Sequence, residues 1–175
     1  MENSYFPKKI KIGERLVGED QPALFIADIG ANFDGSIKKA KHLAKLAKES
    51  GADILKIQSF LSDKIVSGPS FSKMVLKGVH GTWKKPINEV FREAEFKREW
   101  HKELSDYCKE IGIEFSSSPY DFEAVDLLNK IGVNFFKIGS GDITWHEMLE
   151  YIAKKQKPII LATGDSNLEE VKEAV

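Results

Sequence analysis

Two lysines stand inside apolar runs, Lys56 in Ile54-Leu55-Lys56-Ile57-Gln58-Ser59 and Lys137 in Phe135-Phe136-Lys137-Ile138-Gly139-Ser140-Gly141-Asp142. An ammonium in such a run is costly to bury unless an anion or carboxylate meets it. The glycines after Lys137 leave backbone N–H groups open to a ligand, as anion-binding nests do. Two lysines in equivalent places on two strands suggest one anionic ligand held between them. Hydroxyls at Ser116, Ser117 and Ser118 and carboxylates at Asp28 and Asp142 complete the set. Lysines with serines and open N–H groups suit a phosphate or carboxylate, and the acids suit sugar hydroxyls, a metal or proton transfer. Each residue has another reading. Lys56 or Lys137 could form a Schiff base or half of a structural ion pair. Asp28 could cap the loop through Asn32, the serines could be strand-end turn residues, and Asn32, Asp34 and Gly35 could be a tight turn.

The elements that must position these residues alternate along the chain. A small hairpin is expected over Ile10 to Val17. Leu24 to Ile29 reads as a first buried strand, followed by a turn-rich loop and a helix from Ser36 that Gly51 closes. Asp53 to Ser59 is the second strand. From Phe60 to about Phe96 the rhythm breaks, with Gly68, Pro69, Gly78, His80, Gly81 and Trp83 and a short helix near Ile87–Ala94; such segments are usually lids or interface loops. A helix with Trp100, Leu104, Tyr107, Cys108 and Ile111 inward precedes the third strand, Ile113 to Ser117. Asp121 is a natural N-cap for a helix through Lys130. Asn134 to Ile138 is strand four, Thr144 and Glu147 suggest a capping box, and Pro158 to Ala162 is strand five before a last helix from Ser166 or Asn167.

Strands apolar on both faces imply a parallel sheet covered by helices, either doubly wound or a (βα)8 TIM barrel. Polar residues at the ends of many successive strands favour the barrel, and no G-x-G-x-x-G follows the first strand. A barrel needs eight strands and this chain supplies five, so the expectation is an incomplete barrel: residues 1–175 as the N-terminal portion of one barrel domain, covering about the first five βα units.

At 175 residues and 42% hydrophobic the chain can bury one core, and a formal charge of −1 gives no reason to expect nucleic acid. The lone cysteine, Cys108, on the apolar side of a helix, is expected in the core and fits a reducing compartment. No apolar run reaches the roughly 18 residues of a membrane span, and residues 1–10 hold no signal-type apolar stretch, so a soluble, cytoplasmic protein is expected. His42, His80, His101 and His146 show no ligand spacing, and no metal ligand is expected among these residues.

The segments "IADIGANFDG", "AKESGADILKIQSF", "GIEFSSSPYDFEAVDLL", "FFKIGSGDIT" and "KPIILATGDSNLEEVKEAV" resemble the sialic acid (N-acetylneuraminate) synthase family from Leu24 to Val175. One such segment is modest support; five in this order and spacing are specific. The resemblance implies a transferase that condenses phosphoenolpyruvate with an N-acylated hexosamine. Lys56 and Lys137 would bind the phosphate and carboxylate of phosphoenolpyruvate, with hydroxyls from Ser118 and Ser140. Asp28 stands where a glutamate usually lies near the reacting centre, and Asp142 replaces the glutamate that grips the sugar. Gln58 and Asn32 complete the expected substrate contacts. The resemblance also implies a divalent metal, manganese or magnesium, held by histidines of later strands, and an antifreeze-like C-terminal domain covering the partner's site in a homodimer; neither region lies in these 175 residues, which alone should be inactive.

Three departures stand out. Phe33 takes the place of a common histidine, Ala162 that of a serine which would help hold phosphate, and Asp165 that of a methionine. Two other readings are kept beside the first. A phosphorylated aldose as acceptor would need a further basic cluster, for which Lys84 and Lys85 are the candidates. A non-catalytic binding or assembly module would use the two open sheet edges that five strands leave.

Overall fold

Alternation along the strands creates two faces with different partners. The computed structural model describes residues 7–71 and 81–175. An antiparallel hairpin of β1 (Lys9–Ile12) and β2 (Arg15–Gly18) comes first, as expected. Five strands follow: β3 (Ile26–Gly30), β4 (Ile54–Ser59), β5 (Glu114–Pro119), β6 (Phe136–Ile138) and β7 (Ile159–Leu161). Between and after them lie α1 (Ile37–Glu49), α2 (Ser62–Ile65), α3 (Gly68–Phe71), α4 (Ile87–Glu93), α5 (Trp100–Glu110), α6 (Phe122–Ile131), α7 (His146–Ala153) and α8 (Leu168–Ala174).

β3, β4 and β5 form one parallel ladder and β6 and β7 a second. The seam between them is bridged by a side chain: the Ser116 hydroxyl donates to the Phe135 carbonyl at 2.9 Å. Spatial order therefore follows chain order with no reversal, so the switch point of a doubly wound sheet is not formed. The helices agree with this. α1, α5, α6 and α7 pack side by side in that sequence, as one layer. That is the wall of a barrel-type fold rather than a two-sided sheet.

The helix-facing side of the strands holds Leu55, Ile57, Phe115, Phe136 and Ile138, packed with Ala40, Ala44, Leu104, Val125, Leu128 and Met148 of the helices. The opposite, inward face begins with Ile26, Ile54, Phe135 and Ile160, against which the hairpin lays Ile10, Ile12 and Val17. The hairpin thus plugs one end of the inward face with apolar side chains. Arg15 fastens it there by pairing with Asp53, whose other oxygen accepts from the Phe25 N–H at 2.8 Å.

Local signals account for most boundaries. Ser36 accepts from the Lys39 N–H, Asp121 from the Ala124 N–H, and Asn167 forms a full capping box with Glu170. Gly132 ends α6 at a φ of 92°, a conformation that favours glycine. The capping box expected from Thr144 and Glu147 is not formed. α7 starts at His146 with Trp145 at the cap position and no side-chain cap, the Trp145 ring being held against Phe122 at 5.5 Å. The long segment after β4 is more structured than a plain loop. Ser62 ties it together by donating its N–H to Glu95 and its hydroxyl to the Asn88 carbonyl, at 2.6 and 2.7 Å. His80 lies outside the described residues.

Candidate active site

The inward face turns polar one step above the apolar plug. Register places Asp28, Lys56 and Ser116 side by side on β3, β4 and β5, and Gln58 beside Ser118 one step further on. Lys56 is 7% exposed. Its charge is met by Asp28, whose Oδ2 lies 2.7 Å from the ammonium. The other carboxylate oxygen accepts from the Gly30 N–H at 3.0 Å, across a bulge in the β3–β4 ladder. One oxygen of Asp28 thus holds the turn and the other faces the lysine.

Lys137 alternates inward with Phe135 and pairs in register with Ile160. It is half-buried rather than enclosed, and its ammonium donates to the Ile138 carbonyl. Burial, and then the Lys56 charge, lower its pKa below the usual lysine value, while Asp28 and Asp142 act in the opposite sense. Asp142 sits in a 3-10 turn (Ser140–Asp142), where burial raises its pKa against the pull of Lys137. Two lysines and two carboxylates from β3, β4, β6 and the turn after β6 thus sense one another across the face.

The expected hydroxyls divide. Ser118 is 3% exposed on the inward face, and Ser140 is half-buried. Neither side chain forms a hydrogen bond among the described residues, and both are free to meet a ligand. A Cβ on Gly164 would lie 3.3 Å from the Ser140 hydroxyl, so the loops after β6 and β7 converge there. Ser116 is committed to the seam, and Ser117 points to the helix side. Gln58 is half-buried at the rim. Asn32 is exposed, and its observed role is the turn, its N–H donating to the Ile29 carbonyl at 2.9 Å. Phe33 does not line the site. It is 1% exposed, with its ring edge-on to Phe96 at 5.0 Å, and anchors the β3–α1 loop in the core.

Two residues escaped sequence reasoning. Tyr120 follows β5, and its hydroxyl and Asp142 Oδ2 would lie 3.6 and 3.2 Å from a Cβ on Gly139, which places it beside the site; burial and the charges of Asp142 and Asp28 push its phenol up. His101 is fully buried on the helix side, where Nδ1 donates to the Lys97 carbonyl at 3.0 Å and Nε2 accepts from Ser59 Oγ at 2.6 Å. Ser59 in turn meets Ser117 at 2.6 Å. This chain lies behind the strands, away from the lysines, and burial pushes His101 down to about 4. Cys108 is in the core as expected, and burial pushes its thiol up to about 12, which suppresses thiolate chemistry.

No group of three or more His, Cys, Asp or Glu side chains among the described residues could hold a metal. Asp28 is engaged by Lys56, His101 has both nitrogens occupied, and His42 and His146 are exposed on helices. Lys85 is paired with Glu93, which weakens a basic cluster at Lys84 and Lys85. No described helix is long and apolar enough to cross a membrane.

Proteins similar to this chain include synthases named for N-acetylneuraminate 9-phosphate, N,N'-diacetyllegionaminic acid and pseudaminic acid. Over 152 residues it is 40% identical to the N,N'-diacetyllegionaminic acid synthase of Campylobacter jejuni, which covers 87% of this chain and 45% of that protein. Over 164 residues it is 37% identical to the N-acetylneuraminate-9-phosphate synthase of Mus musculus, covering 91% and 44%. A solved N-acetylneuraminic acid synthetase from Leptospira borgpetersenii, in complex with citrate, superposes with a TM-score of 0.80 at 25% identity over 95% of this chain and 53% of that one. The chain spans less than half the length of these curated relatives. The NeuB family model matches residues 43–175, a stretch that carries Lys56, Ser118, Lys137, Ser140 and Asp142. With that match and these relatives, the chain belongs to the NeuB family.

Proposed function

We propose that the whole protein is a cytoplasmic nonulosonic acid synthase that condenses phosphoenolpyruvate with an N-acetylmannosamine-like sugar and releases phosphate. The supporting observation is the placement of Lys56 and Lys137 on one inward face, each in electrostatic reach of Asp28. In this reading the two ammonium groups neutralise the phosphate and carboxylate of phosphoenolpyruvate, with Ser118 and Ser140 donating hydroxyl hydrogen bonds. C3 of phosphoenolpyruvate attacks the sugar aldehyde, water adds at C2, and phosphate leaves with cleavage of the C–O bond. Asp28 stands where a proton can be moved at the reacting carbon or water, and Asp142 takes sugar hydroxyls. Fixing both reactants against one rigid wall supplies orientation that solution lacks.

A divalent metal belongs to the proposal for the whole protein as a polariser of the aldehyde oxygen. The described residues assemble no ligand set for it, so its ligands would come from elsewhere in a complete (βα)8 barrel, of which these are the first five units. On this reading the 175 residues alone do not turn over, and the whole protein is a homodimer.

The test is phosphate release from phosphoenolpyruvate by the full-length protein with a series of N-acylated hexosamines and their 6-phosphates. Release with an unphosphorylated N-acylated sugar is expected. Release with a 6-phosphate alone would move the assignment toward an acceptor of the kind named in the mouse relative's product. No sugar-dependent release, or turnover by residues 1–175 alone, overturns the proposal.

A further inference from the structure

Gly139 follows β6 in an extended conformation, φ −70° and ψ 158°, that any residue adopts. Its lack of a side chain therefore serves space, not backbone. Continuing the alternation of Phe135 and Lys137, a Cβ here would project inward, above Lys137. It would lie 3.2 Å from Asp142 Oδ2 and 3.6 Å from the Tyr120 hydroxyl. A phenol and a carboxylate thus flank one small open point on the inward face. The Tyr120 hydroxyl has no hydrogen-bond partner among the described residues.

The tyrosine ring is held in place from behind. Its backbone N–H donates to the Ser59 carbonyl at 3.1 Å, and its ring lies edge-on to Phe60, with centroids 6.1 Å apart. Phe60 meets Phe91 at 5.8 Å, and Phe91 meets Trp83 at 6.2 Å, so an aromatic ladder runs from the segment before α4 to the mouth. Such packing fixes where the hydroxyl points without using it.

We propose that Tyr120 is a specificity-determining residue, its hydroxyl and the Asp142 carboxylate together gripping one uncharged hydroxyl group of the acceptor sugar over Gly139; this rests on the synthase reading above. The phenol keeps its proton, because burial and the charges of Asp142 and Asp28 push it up. It therefore acts as a donor. An alcohol suits the point from both sides, accepting from Tyr120 while donating to Asp142, whereas a phosphate or carboxylate there would meet Asp142 as a like charge. The pair thus selects for a neutral hydroxylated end and leaves anion binding to the lysines.

The experiment uses the full-length protein and its Tyr120→Phe variant, which keeps the ring and loses only the hydroxyl. Each is titrated calorimetrically with phosphoenolpyruvate alone, and then, with phosphoenolpyruvate saturating, with N-acetylmannosamine and with a 2,4-diacetamido hexose. The expected result is a five- to tenfold weaker sugar affinity in Tyr120→Phe, roughly the share of one hydrogen bond, with phosphoenolpyruvate affinity within about twofold of wild type. Gly139→Ala, which puts a methyl group in the gap, should weaken the sugar as well. Equal sugar affinity in wild type and Tyr120→Phe overturns the assignment, as does an equal loss of both ligands or wild-type protein that binds phosphoenolpyruvate and neither sugar. Wild-type protein that binds no phosphoenolpyruvate overturns the synthase reading, and this inference with it.

Discussion

Lys56 Nζ and Asp28 Oδ2 stand 2.7 Å apart, and the two ends of the pair lie in different surroundings: the lysine side chain is 9% exposed and the carboxylate 48%. The lysine needs a counter-charge more than the aspartate does. An anion arriving on the inward face can supply that charge, and then competes with Asp28 for the same ammonium. Under the proposed function, phosphoenolpyruvate and Asp28 would compete for this one ammonium.

Asp28→Asn removes the competitor and the acid together. Phosphoenolpyruvate binding should tighten severalfold, because Lys56 is released, while turnover falls by at least a hundredfold if Asp28 moves a proton. Stability should drop by about 1–3 kcal/mol, below the cost of breaking a fully buried pair, since half of this carboxylate is in water. Calorimetric titration, phosphate release and urea unfolding measure the three effects separately. Weaker phosphoenolpyruvate binding in Asp28→Asn would show that the carboxylate supports the anion site instead of occupying it.

Lys137 carries a pH dependence of known sign. In the proposed synthase it would bind an anion only when protonated, and burial together with Lys56 lowers its pKa from the ordinary lysine value. Phosphoenolpyruvate affinity should therefore be full at neutral pH and decline on the alkaline side sooner than an ordinary lysine would dictate. Lys137→Arg, which stays charged throughout, should move that decline to higher pH, and Lys137→Ala should cost at least tenfold in affinity at neutral pH. Dissociation constants measured from neutral to strongly alkaline pH check both. A wild-type curve that Lys137→Arg leaves unmoved assigns the decline to another group.

Much of this was legible along the chain because the informative residues sit against their surroundings. A lysine among Phe136 and Ile138, or among Leu55 and Ile57, announces an inward polar layer; Asp121 just before a helical pattern announces a cap, and Ser36 and the Ser166-Asn167 pair mark helix starts at which Ser36 and Asn167 prove to be the caps. Where tertiary neighbours decide, the chain was silent. His101 reads as a polar residue among the apolar positions of α5, and only Ser59 and Ser117, brought up by β4 and β5, make it a core residue. Thr144 had the pattern of a cap, but Trp145 docking on Phe122 starts the helix one position later. Tyr120 is aimed by a ladder of rings, Phe60, Phe91 and Trp83, from the long segment after β4, which no pattern local to Tyr120 encodes.

His101 should make the fold sensitive to mild acid. Its pKa is about 4 in the folded protein against an ordinary 6.5, so between these values the unfolded chain binds the proton and the native one does not. The stability it confers is fully present above pH 6.5 and is lost as pH falls toward 4, by an amount on the order of 3 kcal/mol. Urea unfolding at pH 7 and 4.5 reads the difference, and His101→Gln should flatten it while lowering stability at pH 7. An equally steep fall in His101→Gln would assign the acid sensitivity to carboxylates alone.

Ser116 is the last test, because it joins fold to site. β5 and β6 share no backbone ladder, and the bond from Ser116 Oγ to the Phe135 carbonyl crosses the seam at full burial. Ser116→Ala leaves that carbonyl without its donor, at a cost of about 1–3 kcal/mol. The effect should not stop at stability. Phe135 lies two residues before Lys137 on the same inward face, so a relaxed seam lets β6 drift and spreads the two ammonium groups. Phosphoenolpyruvate affinity should fall severalfold in Ser116→Ala although Ser116 touches no ligand, and Ser116→Thr, which keeps the hydroxyl, should restore it. If Ser116→Ala loses stability but keeps full affinity, then the β6–β7 ladder holds Lys137 in place without help from β5.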